Sequence, residues 1–143
     1  MNENMTRQQV QSRVSDWKKR LIQLFREIEE WAKAHPEQPE IIHSTIRQHQ
    51  EYPLTQFKVP PADLPTLTLR FSNREVRFVP HALWVLGANG WVDVVEGTHA
   101  TTLVDKGGKD GEPSNWQIVV SDPRINMEPF SPEMIDHLDF AAP

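Results

Sequence analysis

The stretch TLTLRFSNREVRFV, residues 66–79, decides the fold of this chain. Apolar and polar residues alternate through both halves of it, a period of two that is typical of β-strands with one buried face. Ser72-Asn73 suits a two-residue turn between the halves. The resulting register pairs Leu69 with Val76 and Leu67 with Phe78 on the core face, and Arg70 with Glu75 and Thr68 with Arg77 on the solvent face. The stretch therefore predicts an antiparallel hairpin.

Two further hairpins are predicted after it. In ALWVLGANGWVDVVEG, residues 82–97, the dipeptide Asn89-Gly90 suits a type I′ turn. Both faces of this pair carry apolar side chains, which predicts a central pair covered on both faces. The two predicted sets are Trp84, Leu86, Trp91 and Val95, and Val85, Val92 and Val94. ATTLV (100–104) and NWQIVVS (115–121) form the last pair, joined by the polar, glycine-rich tip 105–114. The prediction is a meander of about six strands.

A long helix is predicted before the strands. Thr6 and Gln9 match a capping box, and Met5 and Val10 stand at the positions of a hydrophobic staple. Apolar residues then recur at spacings of three and four until Pro36, which predicts a helix over about 7–34. At ~1.5 Å per residue this helix is about 40 Å long, more than the width of a small domain, so we expect one end to project.

The segment between this helix and the strands contains many prolines. Ile41, Ile42, Thr45, Ile46 and His49 follow helical spacing, with Pro39 suited to a first turn and Pro53 to a stop, which predicts a short second helix. In residues 53–65 the prolines Pro60, Pro61 and Pro65 disfavour both helix and central strand, so we expect an extended connector.

The end of the chain predicts one more helix. Phe130, Ser131, Pro132 and Ile135 supply a staple, an N-cap, a first-turn proline and the staple partner in order. The predicted fold is a single α+β domain over 1–143, in which a long N-terminal helix and a short second helix pack on the meander. Its parts are a helical part (1–52), a Pro-rich connector (53–65), an antiparallel sheet (66–121) and a C-terminal helix (122–143).

Composition excludes several classes of site. The chain has no cysteine, which removes disulfides, thiolate metal sites and cysteine nucleophiles together. A formal charge of −5 disfavours nucleic acid as a partner, because a phosphate backbone meets net repulsion. No apolar run approaches the ~18 residues of a membrane span. We therefore expect a cytoplasmic protein without membrane contact.

Neither catalytic residues nor a metal or other cofactor is predicted. Helical spacing separates His43 from His49, and strand alternation sends Asp93 and Glu96 to opposite faces, so neither pair converges on a metal. No serine stands in a G-x-S-x-G setting. The glycine-rich tip 105–114 lacks the phosphate-loop motif and leads to a strand rather than to a helix.

Two functions remain in view. The first is a non-catalytic protein-binding, regulatory or accessory module that contacts a partner, or a second copy as a homodimer, through the long helix and the connector. Its predicted interface is Val10, Val14, Trp17, Leu21, Leu24, Phe25, Ile28 and Trp31. The alternative for the same stripe is packing on the second helix or the sheet of its own domain. The second function is a small-molecule-binding protein or small enzyme with a pocket between sheet and helices. Its candidate residues are His81, Asp93, Glu96 and His99, at or near predicted strand ends.

Overall fold

A computed structural model of the chain describes residues 6–85, 87–108, 111–120 and 126–138. These residues include three helical elements: α1 (Arg7–Lys33), α2 (Tyr52–Gln56) and a 3₁₀ helix (Pro132–His137). The strands are β1 (Glu40–Arg47), β2 (Asp63–Arg70), β3 (Glu75–Ala82), β4 (Trp91–Glu96), β5 (His99–Asp105), β6 (Trp116–Val120) and β7 (Asn126–Pro129). They form one antiparallel sheet in sequence order, β1 to β7. The predicted α+β class and meander are confirmed, with seven strands in place of about six.

The hairpin predicted over residues 66–79 is confirmed pair by pair. Leu67 lies opposite Phe78, Leu69 opposite Val76, Thr68 opposite Arg77 and Arg70 opposite Glu75. The four apolar side chains are fully buried, and Arg70 Nε donates to Glu75 on the solvent face at 3.3 Å. The backbone N–H of Phe71 donates to Arg74 O at 2.8 Å, which closes the turn at Ser72-Asn73. Burial of one face fixes this register, because a slip by one residue would expose the whole apolar set.

Helix α1 is also confirmed, including its capping box. Thr6 Oγ1 accepts from the Gln9 N–H at 3.2 Å, and Gln9 Oε1 accepts from the Thr6 N–H at 2.8 Å; Met5 lies outside the described residues. The expectation that one end projects is wrong, because buried residues run from Val10 to Ala32. Arg7 at one end donates to Lys58 O, and His35 beyond the other end lies 2.9 Å from Asp136 of the 3₁₀ helix. Neighbouring segments thus hold both ends.

The second helix predicted around Ile41–His49 is wrong, because residues 40–47 form strand β1. β-branched residues such as Ile41 and Ile46 suit strands, and a short apolar segment can fit the helical and the strand period alike. Pairing with β2 decides the outcome, with Ile41 opposite Leu69 and Ile46 opposite Leu64. A short helix does follow, but Pro53 lies in its first turn instead of ending it.

The extended connector predicted over 53–65 is also wrong, since it contains most of α2 and the start of β2. Pro65 lies inside β2, although its missing N–H was expected to exclude it from a central strand. At that position β2 pairs with β1 alone, because its pairing with β3 begins at Leu67. The proline nitrogen can therefore point to the unpaired side, where no ladder hydrogen bond is lost.

The hairpin predicted around Asn89-Gly90 is wrong. β3 reaches Ala82 and pairs with β4 directly, with Pro80 opposite Val92, so residues 83–90 are the connection. Gly90 has a φ of +145°, but the φ of Asn89 is not positive, so the type I′ turn is absent. Glycine is instead required at position 90 because the backbone passes close to Trp17, and a Cβ there would overlap the Trp17 ring. Leu86 lies outside the described residues.

The pair predicted from ATTLV and NWQIVVS is confirmed as β5 and β6, with Leu103 opposite Ile118. The predicted C-terminal helix is a 3₁₀ helix, and the side chain of Ser131 makes no capping hydrogen bond. Ile135 is fully buried, as expected for a docked end. Strand β7 was not predicted, because all four of its residues are exposed and carry no alternating pattern.

Candidate functional site

The two faces of the sheet differ in cover. Helix α1 packs on the face that carries Leu67, Leu69 and Phe78. We call the opposite face the outer face. Strand alternation places the following side chains of β3 to β7 on it: Val79, His81, Trp91, Asp93, Val95, Thr102, Val104, Gln117, Val119 and Met127. The expectation of a central strand pair covered on both faces is therefore not met, since the outer side chains of β4 are half-exposed while Val92 and Val94 are fully buried.

An apolar groove of about 470 Å³ crosses β4 to β7 on the outer face. It is lined by Val85, Ala88, Trp91, Thr102, Val104, Lys106, Val119, Asn126 and Met127. The strand register brings these residues together, because Val104 lies opposite Trp91 and Met127 lies opposite Val119. Met127 is 40% exposed, and the neighbouring apolar side chains are half-exposed. Four strands at ~4.8 Å spacing make the groove about 15 Å long.

A polar cluster adjoins this groove at Trp91. The indole Nε1 of Trp91 donates to Asp93 Oδ1 at 3.0 Å, and Asp93 Oδ2 lies 3.0 Å from His81 Nδ1. The His81 ring lies between two other rings, with its centroid 4.7 Å from that of Trp91 and 5.3 Å from that of His49. Both Asp93 oxygens are therefore occupied, and the imidazole is held over the indole.

Only two of the four predicted pocket residues meet. His81 and Asp93 form the cluster just described, but Glu96 lies at the far end of β4, where Arg74 binds it through two hydrogen bonds of 2.7 and 3.1 Å. His99 lies opposite Glu96, at the turn between β4 and β5. Alternation along β4 sends Asp93 and Glu96 to opposite faces, so a single pocket formed by all four residues does not exist.

The predicted interface stripe of α1 lies inside the protein. Seven of its eight side chains are buried, and the eighth, Trp31, is half-buried beside His35. Trp17 is 1% exposed and packs on Trp116 with ring centroids 6.1 Å apart. The inner face of the sheet provides the apolar surface that the stripe needs, as helix packing on an antiparallel sheet requires. A partner could reach the seven buried side chains only if α1 left the sheet.

A buried ion pair that sequence reasoning missed joins α1 to the glycine-rich tip. Arg20 donates to Asp16 Oδ2 at 2.6 Å and to Asp105 Oδ2 at 2.9 Å, and to the backbone oxygens of Gly108 and Glu112 at 3.0 Å each. Asp105 Oδ1 accepts from the N–H groups of Gly107 and Asn115. Burial by itself lowers the pKa of Arg20, but the hydrogen bonds and charges of Asp16 and Asp105 outweigh it and raise the pKa above its ordinary value.

This ion pair gives the tip a fixed place on the helix. Its sequence signal is a single arginine inside the apolar stripe, between Trp17 and Leu21, together with an aspartate at the end of a buried strand. A buried arginine requires such a partner. The described part of the tip is therefore tied to the helix, and Lys109 and Asp110 lie outside the described residues.

No family, curated protein or solved structure matches this chain. Among residues 6–85, 87–108, 111–120 and 126–138, no three His, Asp or Glu side chains are grouped so that they could hold a metal ion. Within the same residues, no helix combines the length and apolar character that crossing a bilayer would need.

Proposed function

We propose that the protein is a non-catalytic binding module whose partner docks on the outer face of the sheet, in the apolar groove between Trp91 and Met127. The observation that carries this proposal is that the two faces of the sheet differ in how far their apolar side chains are shielded from solvent. On the inner face the side chains of Leu67, Phe78 and Val94 are fully buried, while the outer face of β4 to β7 keeps half-exposed aliphatic and aromatic side chains next to one another. Contiguous exposed apolar surface of this kind marks interaction sites in soluble proteins.

The shape of the groove favours a protein partner over a small molecule. Small-molecule sites enclose most of their ligand in a cavity, whereas this groove is shallow and spans four strands. Tryptophan and methionine, which stand at its two ends, are enriched where proteins meet. Lys106, whose Nζ donates to Gly87 O, gives the groove a polar border at one side.

The partner that fits is a short amphipathic segment with one apolar side. A groove about 15 Å long matches about ten residues of helix at ~1.5 Å each. Apolar side chains of that segment would cover Val104 and Val119, and its polar side would face solvent. This is the helix-in-groove mode of recognition, in which a row of apolar anchors supplies the affinity.

A displayed library of peptides of about that length tests the proposal directly. Selection on the wild-type protein should enrich amphipathic peptides that bind with one-to-one stoichiometry. Met127→Lys should weaken their binding at least about tenfold, since a charge would lie in the apolar groove. Ile22→Lys is the matched control, because Ile22 lies on the solvent-exposed side of α1, away from the groove, and is 40% exposed like Met127. It should leave binding unchanged.

Two results would overturn this function. One is a selection that enriches no peptide. The other is a set of peptides that bind the Met127→Lys and Ile22→Lys proteins equally well, since their site would then lie elsewhere. Isothermal titration calorimetry of each pair gives the affinity and the stoichiometry together.

One observation favours a second candidate function, general-base catalysis at His81. Asp93 is held by Trp91 and orients the imidazole through Nδ1, and Nε2 has no hydrogen-bond partner among the described residues. This is the arrangement of an oriented histidine base. It predicts hydrolysis of p-nitrophenyl acetate by the wild type that His81→Gln abolishes. Equal rates for the two proteins would exclude it.

A further inference from the structure

Strand β1 forms one edge of the sheet and differs from ordinary edge strands. It is eight residues long and pairs with β2 along its whole length without a bulge. It contains no proline or lysine, and its charged residues at the two ends are already paired, Glu40 with Arg70 and Arg47 with Asp63. Natural edges are usually shortened, bulged, charged or covered, because their unpaired N–H and C=O groups recruit another strand. Among the described residues, none pairs with the open side of β1.

Two observations show which backbone groups of β1 face the open side. Pro65 has no N–H, and it lies opposite Thr45, so this pair cannot exchange hydrogen bonds. The backbone N–H of Gln48 donates to Ala62 O on the β2 side at 2.8 Å. Alternation along an antiparallel ladder then directs the N–H and C=O groups of Ile41, His43, Thr45 and Arg47 away from β2. β1 thus presents four donors and four acceptors in one row.

We propose that this edge binds the β1 strand of a second copy, antiparallel and centred on Ser44. In such a dimer the two-fold axis runs through the sheet, so the same face of both copies lies on the same side. Because side chains alternate along a strand, two opposite residues must then both have odd numbers or both have even numbers. With Ser44 opposite its own copy, His43 faces Thr45, Ile41 faces Arg47 and Ile42 faces Ile46. The four outward-facing residues then form hydrogen-bonded pairs, and Ile42 meets Ile46 in the closer, non-hydrogen-bonded pair.

The alternative register, centred on His43, is poorer. It would place Glu40 opposite Ile46 and leave the isoleucines without apolar partners. Among the described residues the other edge of the sheet offers no comparable surface, because β7 there has four residues and ends at Pro129. The dimer would be a continuous sheet of fourteen strands, twice the seven of one copy, with both outer faces on one side. It is independent of the partner groove, which lies on β4 to β7.

Cysteine cross-linking tests the register, since the natural chain has no cysteine. Ser44→Cys should form a disulfide-linked dimer under mild oxidation, because a non-hydrogen-bonded pair brings the two Cα atoms within the range that a disulfide spans. Thr45→Cys is the matched control: it is exposed like Ser44, but its opposite residue would be His43. It should remain a monomer on a non-reducing gel. Cross-linking of Thr45→Cys to the same extent, or of neither variant, would overturn the proposal.

Proline substitution tests the hydrogen bonds separately. Thr45→Pro removes an N–H that faces the open edge, so light scattering across a concentration series should show a dimer for the wild type and a folded monomer for the variant. Ser44→Pro removes an N–H that donates to β2 and should instead lower the melting temperature. A wild type that is monomeric at every concentration would overturn the proposal. Peptide binding in the groove by a monomeric protein would leave the proposed function intact.

Discussion

The two faces of the sheet carry similar residues but have different roles. On the inner face, Trp17 of α1 is packed against Trp116 and Gly90 and is almost inaccessible to solvent. On the outer face, Trp91 lies half-exposed beside a groove. Both are large aromatic residues in regular elements, and their type alone does not separate core from surface. The position of α1 makes the difference, because a single helix covers only one face. Substitutions on the two faces should therefore have different effects.

The largest difference is expected between the two tryptophans themselves. Trp17→Ala should lower the free energy of unfolding by about 4 kcal/mol, because it empties a packed site under the helix. Trp91→Ala should cost about 1 kcal/mol, since its side chain is half-exposed and loses chiefly the contacts with Asp93 and His81. Urea denaturation followed by circular dichroism measures both. Equal losses of unfolding free energy would mean that the two faces of the sheet are shielded from solvent to the same extent.

The next effect concerns the ion pair that holds the glycine-rich tip on the inner side. Arg20→Met should cost about 3 kcal/mol, because Asp105 remains fully buried without its positive partner. Replacing both, as Arg20→Met with Asp105→Asn, should cost less than the sum of the single changes. Since the pKa of Arg20 is raised, its guanidinium stays charged over the whole practical pH range. A double-mutant cycle by urea denaturation that shows additive losses would contradict this coupling.

A smaller effect is expected at Gly90, where the connection from β3 to β4 touches the helix. Gly90→Ala should destabilise the protein by about 2 kcal/mol, because its φ is positive and the new methyl group overlaps the Trp17 ring. Gly97→Ala is the control, with a positive φ but open space around it. It should cost less than Gly90→Ala in thermal denaturation. The reverse order would show that backbone strain, and not contact with Trp17, causes most of the loss.

The smallest stability effect is expected on the outer face itself. Met127→Lys should change the free energy of unfolding by at most about 0.5 kcal/mol, as surface substitutions usually do. The same substitution should weaken peptide binding at least about tenfold, so stability and binding separate at this residue. A loss of stability as large as that of Trp17→Ala would show that Met127 belongs to the core and would remove the basis of the groove.

Local patterns predicted the parts of the fold that sequence neighbours determine. Alternation over 66–79 specified every pair of the β2–β3 hairpin, and the capping box at Thr6 specified the start of α1. Strand β1 was missed because its β-branched residues fit two periods and only pairing with β2 selects one. Asn89-Gly90 was misleading because Gly90 is required by Trp17, which lies far away in the sequence. Such long-range contacts leave little local signal.

The candidate site was predictable only in part for the same reason. Alternation placed Trp91 and Val95 on one face, and it separated Asp93 from Glu96. The sequence pattern of the strands does not indicate which face of the sheet α1 covers. An aromatic residue of a strand could therefore belong either to the core or to an interface. The pairing of His81 with Asp93 depends on the β3–β4 register, which the wrongly placed turn had obscured.

Nuclear magnetic resonance titration of the ¹⁵N-labelled protein with a library-selected amphipathic peptide tests most directly whether the outer face is the partner surface. We expect shift changes concentrated at β4 to β7, around Trp91, Val104, Val119 and Met127, with the resonances of α1 unchanged. Shift changes centred on Trp17, Leu21 and Ile28 instead would show that the helix leaves the sheet to bind, and would contradict the assignment of the outer face as the partner surface.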